Sequence, residues 1–128
     1  MDRFLWVCFA GALGSGARYL IGTWALARLG STFPYGTLIV NLLGCFLMGL
    51  LLELALRGSF VSPDLRVILG TGFLGGLTTY SAFNAETSRL FRDGASALAL
   101  SNLAVTVVGC LVAGWLGLAL AARIVTRA

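Results

Sequence analysis

Residues Gly75 to Asn84 read GGLTTYSAFN inside an otherwise apolar stretch. A Gly-Gly pair is followed by Thr78, Thr79, Tyr80 and Ser81, then by Phe83 and Asn84. Hydroxyls and amides donate hydrogen bonds, and aromatic ring edges are electropositive. Such a set can meet a small anion without offering the permanent cation that would trap it. Tyr80 and Phe83, at i,i+3, share a helical face with Asn84 and Thr87 beside them. An isolated aromatic pair would read as lipid-facing packing; here the neighbours are hydroxyls and an amide. A helix broken at Gly75-Gly76 would free carbonyls of its first half and N–H groups of its second. Helix N-termini meet anions and unwound carbonyls coordinate Na⁺. The competing reading is a straight helix whose glycines serve close packing.

Two other stretches carry donors. Thr37 and Asn41 lie one turn apart, either as an anion-facing pair or as interhelical hydrogen-bonding groups. Asn102, Thr106, Cys110 and Gly114 recur every four residues on one stripe. Arg18 is either an anion-attracting vestibule charge, or an interfacial anchor that snorkels from the first apolar segment or half of a structural ion pair. Glu53 and Glu86 fall near the ends of their segments, where Glu86 could also stand at a pore mouth.

These residues need a membrane to position them. The 128-residue chain is 59% hydrophobic and 11% charged, whereas soluble domains carry about 25% charged residues. That is too little charge to cover a water-facing surface. All nine basic residues are arginines scattered singly, which excludes nucleic acid as a partner and leaves the lipid bilayer. Cys8, Cys45 and Cys110 are isolated and odd in number; they read as small packing residues, with no disulfide framework or metal spacing. No histidine and no cysteine pair are present for triad or metal-hydrolytic chemistry, so no enzyme is expected.

The expected fold is an all-α integral membrane protein, one four-span domain over residues 1–128. The spans run roughly Phe4–Leu29, Tyr35–Leu56, Leu65–Leu90 and Ala95–Ala122, the third broken near Gly75-Gly76. Each supplies the ~20 residues that cross a ~30 Å hydrocarbon core. The first apolar run is too long for a signal-peptide core and is read as retained. Pro34 and Pro63 fall in the turns, and Ser62 is placed to start the third helix. Arg3, Arg57, Arg66, Arg123 and Arg127 lie on the side of the termini, against Arg28, Arg89 and Arg92 on the other. This weak bias allows either one orientation with termini inside or an antiparallel dimer of identical chains. Small residues at i,i+4 (Ala12 with Gly16, Cys45 with Gly49, Gly72 with Gly76) let helices approach closely in lipid. A four-span monomer has little interior, so a polar path would gain its walls from a second copy.

The segments GARY in the first span, GTLIVNLLGCFLMG in the second and TGFLGGLTTYSAFNAE in the third resemble the Fluc-type fluoride channels of the CrcB family. The resemblance covers most of the chain. It implies an antiparallel, dual-topology homodimer in the cell inner membrane with two pores. These pores would carry fluoride passively out of the cell and relieve its toxicity. It implies a structural, untransported Na⁺ on the dimer axis held by the backbone carbonyls of Gly75 and Thr78. Asn41 becomes a pore-lining donor, with Thr37 on the same face. Tyr80 and Phe83 occupy the aromatic-box positions, and Ser81, Thr106 and Cys110 lie along the polar track. Arg18 matches the family's first-span arginine, and Glu86 a carboxylate near the pore mouth. The chain departs from the usual T-F-S-T-F pattern at Tyr80 and Ala82, and has Cys110 where Ser is common and Gly114 where Thr is often seen. Slower but still fluoride-selective permeation is expected. A small multidrug-exporter arrangement would need a carboxylate in the first span, where this chain has Arg18. A membrane scaffold would give no reason for the Gly75–Asn84 constellation.

Overall fold

The structure is a computed structural model that describes residues 2–57 and 61–126. Arg127, counted above on the side of the termini, lies outside the described residues. Every regular element among the described residues is helical. In order they are α1 (Asp2–Leu29), α2 (Tyr35–Arg57), α3 (Pro63–Val67), a π-helical segment Ile68–Leu74, α4 (Gly75–Leu77), α5 (Tyr80–Arg92) and α6 (Ser96–Val125). Helices α1, α2 and α6 are long and apolar enough to cross a membrane. The chain between Pro63 and Arg92 lies among them as a third, discontinuous segment. The protein is a multi-pass membrane protein.

The turns follow local chemistry. The Ser62 hydroxyl accepts from the Leu65 N–H at 3.2 Å and Pro63 opens α3, a Ser cap followed by a residue that lacks its own N–H. Helices α1 and α5 end at Gly30 and Gly94, with φ of 80° and 76°, the left-handed conformation that glycine adopts freely. Arg3 pairs with Asp64 at 3.2 Å, joining the starts of α1 and α3 on one side of the bundle. Both partners are largely exposed, so the pair fixes position more than it stabilises. Glu53 pairs with Arg57 on the next turn of α2 at 2.7 Å.

Two seams hold the helices together, α1 against the π-helical segment and α4, and α2 against α6. Both are built on backbone approach. A Cβ at Gly14 would collide with the Phe73 carbonyl, and one at Gly76 with the Gly11 carbonyl. A Cβ at Gly49 would meet the Gly114 carbonyl, and one at Gly117 the Phe46 carbonyl. Lipid supplies no hydrophobic drive between helices, so small residues that admit close van der Waals contact hold such seams. Cys45–Gly49 and Gly72–Gly76 lie at these contacts, whereas Gly16 faces open space.

The position of the break is a correction. Gly75 is helical, with φ −63° and ψ −35°, and Gly75-Gly76 belong to α4. The chain leaves the helix only at Thr78 and Thr79, where φ/ψ are −84°/155° and −152°/117°. The glycine pair serves the approach to α1, and the break lies just beyond it. Upstream, the π-helical segment already departs from the α-helical ladder.

Gly14→Ala is expected to lose about 1–3 kcal/mol of stability, as overpacked interiors do, because carbonyl backbone has no rotamer with which to yield. Thermal unfolding in detergent, followed by size-exclusion chromatography, checks this. Gly16→Ala, whose Cβ meets nothing within 4 Å, should elute and melt as the parent does.

Candidate functional site

The break is held by one side chain. Asn41 Oδ1 accepts from the Thr79 N–H at 2.8 Å, and Asn41 Nδ2 donates to the Thr79 carbonyl at 3.1 Å. The two bonds fix the amide's orientation, since the flipped rotamer would set donor against donor. Non-helical backbone survives at membrane depth only where its polar groups are satisfied; here Asn41 satisfies both groups of one residue. Gly44, one turn along α2, leaves room for the Thr78 methyl, which a Cβ there would strike. Thr78 sends its N–H and its hydroxyl to the Leu74 carbonyl, at 3.0 and 2.9 Å.

Thr79 then restarts the helix. Its hydroxyl accepts from the Ala82 N–H at 3.1 Å and shares a 3.2 Å hydrogen bond with Ser81 Oγ. Because the Thr79 N–H goes to Asn41, it does not bond the Gly75 carbonyl four residues back. That carbonyl leaves the helical ladder as α4 ends, while the N-terminus of the 13-residue α5 carries a partial positive charge.

Around the break lies a cavity of about 390 Å³ whose lining includes Asn41, Gly75, Thr78, Phe83, Thr106 and Cys110. Tyr80 also borders it, its ring centroid 5.6 Å from that of Phe83 and the two planes tilted by 58°. Phe83 is buried, whereas Tyr80 is 80% exposed in the single chain. Behind the cavity a buried polar chain ties α5 to α6. Thr87 donates to the Phe83 carbonyl at 2.7 Å, Asn102 Nδ2 to Thr87 Oγ1 at 2.8 Å, and Thr106 Oγ1 to Asn102 Oδ1 at 3.3 Å.

A second cavity, of about 430 Å³, opens near the α1–α2 turn and includes Thr37, Glu86 and Arg89 in its lining. Thr37 donates to Glu86 Oε1 at 2.8 Å, while Glu86 Oε2 is buried without a hydrogen-bond partner. Thr37 and Asn41 therefore serve different cavities, although both lie on α2 one turn apart.

The structure thus brings Asn41, Gly75, Thr78, Tyr80, Phe83, Thr106 and Cys110 to one cavity, and Thr37 and Glu86 to another. Ser81 lines neither, is exposed, and bonds to Thr79. Arg18 is half-buried, lines neither cavity, and forms no ion pair among the described residues. The sequence reading gave no role to Thr79, although a threonine three residues before Ala82 at a helix start has the spacing of a cap. Nor did it connect Thr87 to Asn102, a pairing between separate helices that spacing along the chain does not reveal.

A family profile described as "CrcB-like protein, Camphor Resistance (CrcB)" matches residues 5–118. The chain belongs to the CrcB family. It is 48% identical over 98% of both chains to the fluoride-specific ion channel FluC of Sorangium cellulosum. It is 52% identical to the protein of that name from Anaeromyxobacter sp. strain K, over 90% of this chain and 91% of the relative. A third such channel, from Citrifermentans bemidjiense, is 45% identical over 94% and 98%. These relatives are named as ion channels, which are not enzymes. In the CrcB setting the broken third segment and its cavity are the candidate site.

Asn41→Ala removes the partners of both backbone groups of the buried Thr79. It should cost about 2–4 kcal/mol, since each orphaned buried group costs about 1–3 kcal/mol. The Thr79 amide should also lose its protection, and hydrogen exchange of the purified protein reads this directly. Unchanged protection at Thr79 would refute the clamp.

Proposed function

We propose that this chain forms a fluoride-specific channel that lets fluoride leave the cell passively across the inner membrane. One observation carries the reading: a cavity beside a broken membrane helix is lined by hydroxyl, amide and aromatic groups, and its lining residues carry no formal charge. Three relatives bearing the fluoride-channel name support it at 45–52% identity.

Fluoride is small and strongly hydrated, so a path must replace its water with donors. Asn41 Nδ2 keeps a second hydrogen beyond the one given to Thr79, and the Phe83 and Tyr80 rings present electropositive edges. The α5 N-terminus adds a partial positive charge that attracts an anion without pairing with it. Thr37, Glu86 and Arg18 would form the outer approach, with Ser81, Thr106 and Cys110 continuing the path.

Two further parts of the reading concern assembly. An antiparallel homodimer would cover Tyr80, 80% exposed, and Trp115, 73% exposed, although lipid covers such rings equally well. The whole chain acts as one four-span domain in this assembly. A structural Na⁺ suits the donor set at the break. The extended backbone of Thr78 and the clamped N–H of Thr79 take the Gly75 and Thr78 carbonyls out of regular helical bonding, and carbonyl oxygen is a hard-cation ligand. When bound, Na⁺ would supply a fixed positive charge that holds those carbonyls in place.

The test is fluoride release from proteoliposomes, with chloride as the control. Release of fluoride at least 100-fold faster than chloride is expected, and folded protein that passes neither ion refutes the channel. Tyr80→Phe should conduct several-fold faster, because it removes a phenolic O–H that holds the ion; an unchanged rate removes Tyr80 from the path.

A further inference from the structure

Cys45 and Cys110 are far apart in sequence, yet α2 packs on α6 along one seam, where the Cys45 carbonyl approaches Gly114 and the Leu42 side chain approaches Gly109, so that Cys45 and Cys110 stand at one level of it. Both are half-buried, neither is in a disulfide, and both line the cavity at the break. Met48, one turn along α2 from Cys45, also lines the cavity, with its thioether close to Gly70. The packing role read from the sequence is therefore incomplete: two thiols from different helices line one cavity. Among the described residues no cluster of three His, Cys, Asp or Glu side chains exists, so the two thiols have no third side chain of those types beside them.

We propose that Cys45 and Cys110 form a paired-thiol site that captures one soft, two-coordinate divalent metal ion in the cavity wall. Thiolate and thioether ligands select soft ions. Charge selects further. With Hg²⁺, each S–H bond breaks, two S–Hg bonds form, two protons pass to water, and mercury stays divalent. The product is neutral, the form that low-dielectric surroundings tolerate. A monovalent soft ion such as Ag⁺ would leave a net negative charge on the same two sulfurs and should bind less firmly. Cys8 lies exposed on the outer face of α1 and takes no part.

The test uses the full chain carrying Cys8→Ser. Intact-mass measurement after one equivalent of Hg²⁺ should show one mercury per chain, two protons lost and no retained chloride. Methylmercury, which takes a single thiol, should need two equivalents to fill the same protein. Single variants at Cys45 or Cys110 should surrender mercury to a monothiol wash that the pair withstands at 100-fold higher concentration. Two mercury atoms per chain, or a chloride-capped adduct, would overturn the pairing. Obstruction of the cavity rests on the channel reading. On that reading, Hg²⁺ should cut fluoride release at least tenfold in the Cys8→Ser protein and much less in Cys45→Ala. A chain that binds mercury as a pair but passes no fluoride would sink the channel and leave the site standing. A conducting chain that binds mercury as a pair without losing rate would place the pair off the path.

Discussion

The site depends on one side chain hydrogen-bonding the backbone of another helix. Two bonds from Asn41 to the N–H and C=O of Thr79 allow a membrane segment to leave its helix without stranding polar groups in hydrocarbon. From that follow the release of the Gly75 carbonyl, the cap that Thr79 places on α5, and the direction in which Phe83 enters the cavity. A serine or a threonine would have to accept and donate from a single oxygen, whereas an amide offers its acceptor and its donor on two atoms of one plane. Asn41 is therefore first a structural clamp. Any donation to a passing ion uses the hydrogen that the clamp leaves over.

The clamp requires that the helices stand close enough for an asparagine to reach. Glycine supplies that distance on both seams. Gly44 gives way to Thr78 beneath the break, and Gly14 and Gly76 bring α1 and α4 to backbone contact. The same approach on the α2–α6 seam sets Cys45 beside Cys110. Stability and site geometry thus share one cause, and a methyl group in a seam would disturb both. This explains how a chain with so few large buried side chains (Leu77, Val40 and Asn102 are the largest with under 2% exposure) holds a defined interior.

Much of this was legible in the sequence, and the exceptions have physical reasons. Composition and span length identified the membrane helices, since hydrocarbon thickness sets both. The break was placed three residues too early because Gly-Gly weakens a helix in water, whereas in lipid it more often shortens the distance between helices. The better signal was the Thr78-Thr79 pair, β-branched and able to cap. Thr37 and Asn41 share a face of α2, but the four-residue step between them amounts to about 6 Å along the axis, enough to assign them to different cavities. The Thr87–Asn102–Thr106 chain and the Cys45–Cys110 pair join residues on different helices, and single-helix periodicity carries no information about such pairs.

The polar groups behind the cavity also differ in how free they are to act. Thr87, Asn102 and Thr106 are buried and bonded to one another, so their first effect is to lock α5 against α6 and hold Phe83 in place. Thr106 reaches Asn102 at 3.3 Å, a long and weak bond for a hydroxyl donor. Turning that hydrogen toward the cavity would leave the buried Asn102 Oδ1 without another donor among the described residues, at about 1–3 kcal/mol, while Asn102 keeps its stronger bond to Thr87. On the channel reading proposed above, this polar chain is first a rigid support for the path, and a donor held at its edge by a long bond suits an anion that must also leave.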